Sequence, residues 1–163
     1  MDTLWAGWRS GYVRSADEQN EAGCLFCRLP AEDDASALIL ERGPFAFSVL
    51  NRFPYTTGHL MVSQYRHAAD LADLTAEEVG DVWRLLVRAR RACGEAMQPD
   101  GFNLGSNLGR VAGAGVPDHL HLHLVPRWAG DTSFVTTVGE TRVMPEDLAV
   151  TWRLLREALA SSP

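Results

Sequence analysis

Basic residues are in short supply: 15 Lys and Arg stand against 21 Asp and Glu, a formal net charge of −6 over 163 residues. A general nucleic-acid binder needs a basic stripe to displace phosphate counterions, so this balance argues against that class. It leaves room for a phosphorylated small molecule, because one pocket can be locally positive inside an acidic protein. Long apolar runs are missing too, and no stretch approaches the ~18 residues a membrane helix needs. The opening residues, Met1-Asp2-Thr3-Leu4-Trp5, carry neither the basic segment nor the apolar run of a secretory leader. Cysteine is limited to three, an odd number without the look of a disulfide scaffold, which sets a reducing cytoplasm as the expected setting. There is no internal repeat and no linker that would divide the chain. With 46% hydrophobic and 22% charged residues, the composition is that of one soluble globular domain with a core of its own.

What is present falls into short elements. Residues 4–13 are aromatic-rich and 14–23 polar, so residues 1–23 read as an arm that docks either on another subunit or on its own domain, residues 24–163. Leu38-Ile39-Leu40 and Phe45 to Leu50 are strand-like runs broken at Gly43-Pro44, and His59 to Ser63 follows a loop as a third. Thr75 and Glu78 make a capping box at the start of a long helix. Val79, Val82, Trp83, Leu86 and Cys93 recur along it at helical spacing, and Pro99 with Gly101 stop it. Phe102 to Asn107 reads as a strand, Gly109 to Gly115 as a glycine-rich loop, and His119 to Val125 as a strand ending at Pro126. A last helix, about 145–160, opens near Pro145 and carries Leu148, Trp152, Leu155 and Leu159 on one face. Strands with one long helix inserted and one at the end suggest an α+β fold with an antiparallel sheet.

The informative segment is Asp118-His119-Leu120-His121-Leu122-His123-Leu124-Val125-Pro126. On a strand the alternation puts every imidazole on one face, ~6.5–7 Å apart, and every leucine on the other. Three readings are open: a solvated His-rich face, a zinc chelate, or catalysis. Imidazole titrates near neutral pH, so one ring can attack as a neutral base while neighbours steady an anion. A histidine nucleophile also splits a difficult phosphoryl displacement into two easier steps through a covalent intermediate. Just upstream, the loop Leu108 to Gly115 offers backbone N–H groups that can approach a phosphate closely. It is not a Walker A loop, since no Gly-Lys-Ser/Thr follows.

This segment resembles the signature of the histidine-triad (HIT) family, in which histidines alternate with hydrophobic residues. The resemblance extends to Asn51-Arg52-Phe53-Pro54-Tyr55-Thr56-Thr57-Gly58-His59-Leu60-Met61-Val62 and to Gly101 through Asn107. Trp5-Ala6-Gly7-Trp8-Arg9 with Tyr12, Cys24-Leu25-Phe26-Cys27, and Arg127-Trp128-Ala129-Gly130-Asp131 are similar to a bacterial branch that contains dinucleoside-polyphosphate hydrolases and phosphorylases.

The resemblance implies a roughly five-stranded antiparallel sheet, one long helix, a C-terminal helix, and a homodimer formed through the long helix and the strand before the phosphate loop. By analogy His121 is the nucleophile on an α-phosphorus, His123 contacts the scissile phosphate, and His119 completes the catalytic triad. Asn51, His59, Asn107, Gly113 and Gly115 match nucleotide-binding positions, although His59 reads equally well as a buried structural histidine. Some members carry a glutamine or serine four and three residues before the triad; Gly115 and Val116 stand there in this chain, so backbone donors or solvent must help the leaving group. The implied substrate is a dinucleoside polyphosphate such as diadenosine tetraphosphate, cleaved by hydrolysis or, as the close alternative, phosphorolysis. Phosphoramidate hydrolysis and a slow-turnover nucleotide sensor are further options.

Cys24-X-X-Cys27 taken alone suits a redox pair or a turn, although no βαβ pattern surrounds it as in a thioredoxin. Tetrahedral zinc needs two more ligands. Some relatives use a cysteine pair, a distant histidine and the first triad histidine; Cys24, Cys27, His67 and His119 stand at the matching places. Structural zinc and free thiols both remain open readings.

Overall fold

The computed structural model describes residues 23–131 and 146–161. Apart from Gly23, the arm expected over residues 1–23, with Trp5, Trp8 and Tyr12, lies outside the described residues, as does Pro145. Two short helices, α1 (Leu25–Arg28) and α2 (Asp34–Ala37), lead into strands β1 (Ile39–Arg42), β2 (Ala46–Leu50) and β3 (Leu60–Gln64). Helix α3 (Ala76–Met97) follows, then β4 (Gly101–Gly105), β5 (His121–Arg127) and α4 (Leu148–Ser161). The strands form one five-stranded antiparallel sheet in the order β1-β2-β3-β5-β4. This is the α+β architecture the sequence suggests.

Helix α3 starts where its capping box stands. The Thr75 hydroxyl accepts from Glu78 N–H at 3.3 Å, and the Glu78 carboxylate accepts from Thr75 N–H at 2.9 Å. Arg66 also donates to Glu78, tying the segment after β3 to the helix start. The helix ends at Gln98 in the left-handed region, one turn before Gly101. Its core face is Val82, Leu85, Leu86, Ala89, Ala92 and Cys93, all buried. Val79 and Trp83, expected on that face, are instead 49% and 58% exposed. They begin a second apolar stripe offset around the helix by one position, which periodicity merges with the first. Helix α4 packs beside α3, and of its expected apolar face Leu155 and Leu159 are buried; Trp152 Nε1 donates to the Ile39 carbonyl at 2.8 Å.

Two expectations for β5 need correction. The strand begins at His121, not His119, and runs through Pro126 to Arg127. His119 and Leu120 are held by other bonds: Leu120 N–H donates to the Ala68 carbonyl, and Ser63 Oγ to the Leu120 carbonyl. Pro126 is tolerated because the pairing with β3 has already ended at Leu60–Leu124, leaving β4 as its neighbour. The second correction concerns burial. Leu120 and Leu124 are in the interior as expected, but His119 and His121 are only 1% and 4% exposed. The imidazole face is not an open surface, because Phe26, from the segment before β1, lies against His119 and His121.

The β1–β2 turn is pinned to α3 through a single carboxylate. Asp81, 5% exposed, accepts from the N–H groups of Phe45 and Ala46 at 2.8 and 2.9 Å and pairs with Arg84. A Cβ at Gly43 would collide with the same carboxylate, which is why glycine stands there. Asp81→Ala orphans both N–H groups and is expected to cost about 1–3 kcal/mol, read as a lower midpoint in urea unfolding; an unchanged midpoint would contradict this role.

Candidate active site and metal cluster

The register of β3 against β5 sets the histidines in place. Ser63 pairs with His121 and Met61 with His123, so the two imidazoles project from alternate positions of β5 along β3. Their ring centroids are 5.0 Å apart, closer than an ideal strand repeat predicts, with the rings nearly perpendicular. Gly58, at φ +78°, turns the chain so that His59 enters the same space; a Cβ there would meet the Met97 sulfur at 2.8 Å.

Each ring has one nitrogen whose partner fixes where the proton sits. His121 Nδ1 lies 2.8 Å from the His119 carbonyl, which can only accept, so Nδ1 carries the proton and Nε2 keeps a lone pair. Nε2 makes no hydrogen bond among the described residues. His119 Nε2 lies 3.0 Å from the Gln64 carbonyl, so its lone pair is on Nδ1. At His59 the logic reverses: Nδ1 accepts from Tyr55 N–H at 3.1 Å, leaving Nε2–H to donate to His123 Nδ1 at 2.9 Å. The proton of a neutral His123 therefore sits on Nε2. Next to each other, then, are one imidazole offering a lone pair and one offering an N–H.

Burial keeps these rings neutral. Desolvation lowers the pKa of His121, against a smaller opposing effect of the His119 carbonyl. Burial first, and the charge of His121 second, push His123 down to about 4. His119 is lowered mainly by burial as well. At neutral pH His119, His121 and His123 are uncharged before any ligand arrives.

The remaining expected residues support this array. Asn51 is buried, and both ends of its amide are used internally: Oδ1 accepts from Phe53 N–H at 2.9 Å, and Nδ2 faces His59 Nδ1 at 3.3 Å. Asn107 Nδ2 donates to the Gly113 carbonyl at 3.3 Å, closing the glycine loop, and Gly115 is half-buried nearby in sequence. His59 is fully buried and meets the triad through its bond to His123. Three further contributors had no distinct signal in the sequence. Ser106 Oγ donates to the His121 carbonyl at 2.7 Å. Tyr55 lies against His59 at 4.4 Å, and Phe26 stacks on His121 at 4.7 Å with 29° between planes.

Cys24, Cys27, His67 and His119 converge as a group that could hold a metal, their ligand atoms all within 4.8 Å of one another. His119 Nδ1 is 3.2 Å from Cys24 Sγ and 3.5 Å from Cys27 Sγ, and His67 Nδ1 is 3.4 Å from Cys27 Sγ. Zn–S near 2.3 Å and Zn–N near 2.0–2.1 Å give a tetrahedral S···N edge of about 3.6 Å, so the four atoms stand close to ligand spacing. The His119 lone pair points into the group while its other nitrogen is bonded to the Gln64 carbonyl, the arrangement that orients a ligating histidine. Partial burial, then the adjacent Cys24, push the Cys27 thiol up from its usual value; a divalent cation reverses that preference.

An antiparallel five-stranded sheet with alternating histidines on one strand and a glycine loop before it defines a histidine-array class of protein. A family model for the HIT domain matches residues 33–130. The chain is 37% identical along its whole length to the AP-4-A phosphorylase of Mycobacterium tuberculosis, of which it spans 87%. A Zn-bound histidine triad family protein from Mycobacterium smegmatis superposes with a TM-score of 0.69 at 34% identity, covering 85% of this chain and 94% of that one. Adenosine 5'-monophosphoramidase hnt1 of Schizosaccharomyces pombe is 30% identical across 64% of this chain and 74% of its own. The chain belongs to the HIT family.

Proposed function

We propose that this protein is a nucleotide-cleaving enzyme that attacks an α-phosphorus of a dinucleoside polyphosphate, of the diadenosine tetraphosphate kind, through a nucleotidyl-His121 intermediate. The observation that carries this reading is the His121 tautomer, with Nδ1–H tied to the His119 carbonyl and Nε2 free to attack. In the first step the Nε2 lone pair forms a P–N bond, the P–O bond to the remaining polyphosphate breaks, and the departing oxygen takes its electrons. His123 donates its Nε2–H to a phosphoryl oxygen, held in that tautomer by His59. In the glycine loop the Gly113 N–H, expected to face a phosphate, is instead bonded to the Arg110 carbonyl at 2.9 Å, so the backbone around Gly115 would face the remaining charge. In the second step an acceptor oxygen displaces the histidine, the P–N bond breaks and Nε2 regains its lone pair.

The acceptor is water in hydrolysis and inorganic phosphate in phosphorolysis; the full-length likeness to an AP-4-A phosphorylase favours phosphate as a second reading. Purified protein incubated with diadenosine tetraphosphate, with and without phosphate, distinguishes them by chromatography. Phosphate-dependent release of a nucleoside diphosphate identifies phosphorolysis, and phosphate-independent release of AMP hydrolysis. His121→Ala is expected to lower either rate by a factor on the order of 10⁴ with the fold retained. Wild-type turnover in that variant would remove His121 from the reaction, and no turnover in the parent, with tight mononucleotide binding, would leave a sensor.

Cys24, Cys27, His67 and His119 would hold a zinc ion in a closed, four-ligand structural site that clamps the segment before β1 to the triad. Their spacing and the Zn-bound relative support it. Metal analysis is expected to find close to one zinc per chain and clearly less in His67→Ala; equal zinc in both would exclude His67 as a ligand.

A homodimer is the proposed assembly. Val79, Trp83 and Val87 follow one another at four-residue spacing on α3, and Arg90 continues the stripe to Phe102 of edge strand β4, its guanidinium 5.3 Å from the ring centre. Leu104 of β4 is 48% exposed on the same edge strand. Light scattering is expected to give twice the 17.9 kDa chain mass, and Trp83→Glu the single mass; a monomeric parent protein would refute the assembly.

A further inference from the structure

Among the described residues Phe26 is the aromatic ring stacked on the proposed nucleophile, and its place in the chain is unusual. It lies between Cys24 and Cys27 on α1, is 1% exposed, and stacks on His121 at 4.7 Å while also meeting His119 at 5.5 Å. We propose that Phe26 is a positioning residue for His121, and that the Cys24–Cys27–His67–His119 cluster holds its ring flat against the imidazole, coupling metal occupancy to the aim of the attacking nitrogen. The inference rests on His121 being the nucleophile.

Two torsions aim an imidazole, and besides the His123 ring 5.0 Å away two contacts restrain this one. The His119 carbonyl holds the Nδ1 edge at 2.8 Å. Phe26 holds one face, leaving the Nε2 edge free. Both restraints come from the metal cluster: His119 supplies a candidate ligand and the carbonyl, and the Cys24–Cys27 turn supplies two ligands and the phenyl ring. Helix α1 is a single turn, closed by Arg28 N–H on the Cys24 carbonyl, and is too short to hold Phe26 in place by its own helical bonds. His67 stands next to Ala68, whose carbonyl accepts from Leu120 N–H, so the fourth ligand is also fastened to the segment just before His121. Removing the ion leaves four polar groups crowded without their common partner, and the one-turn helix loosens first. A displacement of about 1 Å in a reacting group is enough to cost on the order of a hundredfold in rate.

The test uses the full chain with isotope-labelled histidine. In zinc-loaded protein the His121 ring protons are expected to resonate upfield, shielded by the phenyl face. Chelation should move them downfield and broaden them, and added zinc should restore them. Phe26→Leu keeps an apolar side chain but removes the flat face; with zinc bound it should lose the upfield displacement and lower kcat about tenfold while KM and zinc content stay unchanged. Phe26→Tyr, which keeps the ring, should restore the shift and most of kcat. The proposal is overturned by His121 signals that ignore chelation, by a chain that takes up no zinc, or by a folded Phe26→Leu with parental kcat. A Phe26→Leu that changes KM alone also overturns it, because the ring would then line the nucleotide pocket. Should Phe26→Leu fail to fold, chelation of the parent protein decides. These spectra stand apart from the nucleophile assignment: parental activity in His121→Ala sinks that reading and leaves the measured coupling intact.

Discussion

Burying several imidazoles side by side is the constraint around which the molecule is built. A buried polar ring without a partner is costly, and a buried charged one more so. Here His59, His119, His121 and His123 each give a nitrogen to a fixed neighbour: Tyr55 N–H, the Gln64 carbonyl, the His119 carbonyl and His59 itself. Because backbone groups are invariably donors or acceptors, they assign each proton without ambiguity. The rings therefore differ in role although their chemistry is the same. Desolvation then lowers the pKa values of His119, His121 and His123 and keeps all three neutral.

The fold supplies those backbone partners from three directions. Strand β3 ends at Gln64, so its last carbonyl is free to meet His119. The loop before β3 returns through Gly58, placing Tyr55 N–H over His59. The chain before β5 is held by Ala68 and Ser63 instead of by a ladder, which leaves the His119 carbonyl pointing at its own strand's first imidazole. Arg66, bonded to Glu78 of the capping box, holds the Gln64–Ala68 region against α3. The Arg66 bond first, against the smaller opposing effect of burial, holds the Glu78 carboxyl below the usual carboxylate range. The helix start thus supports the Cys24–Cys27–His67–His119 side of the site through a single residue.

What could be read from the sequence was periodic or carried by distinctive residue types. The alternation at 119–123, the Thr75–Glu78 capping box, the strand and helix order and the Cys24/Cys27/His67/His119 set all fall in this group, and each meets its expected neighbours. What escaped reading depends on tertiary position. Phe26 is one apolar residue in a short helix, with nothing in its spacing to place it on a histidine. Val79 and Trp83 share the period of the core residues, and only the packing of α3 decides which stripe faces inward. His119 alternates correctly yet stands outside the ladder, because side-chain period does not reveal where a neighbouring strand ends.

The same constraint explains how an acidic protein can handle a polyphosphate. An attacking imidazole has to be neutral, whereas the group it attacks calls for positive surroundings, and one ring cannot meet both demands. In the proposed reaction the demands are divided. His121 stays neutral because burial disfavours its cation and the His119 carbonyl occupies its only proton. His123, held to about 4 without a ligand, is neutral as well and offers a fixed Nε2–H dipole, because its Nδ1 already accepts from His59 Nε2–H. The anion therefore meets an oriented N–H at His123, next to a nucleophile whose lone pair has been preserved. A standing cation in the same place would attract the substrate sooner, but at 5.0 Å from His121 it would act on the nucleophile throughout the cycle, lowering the basicity of the nitrogen that must attack.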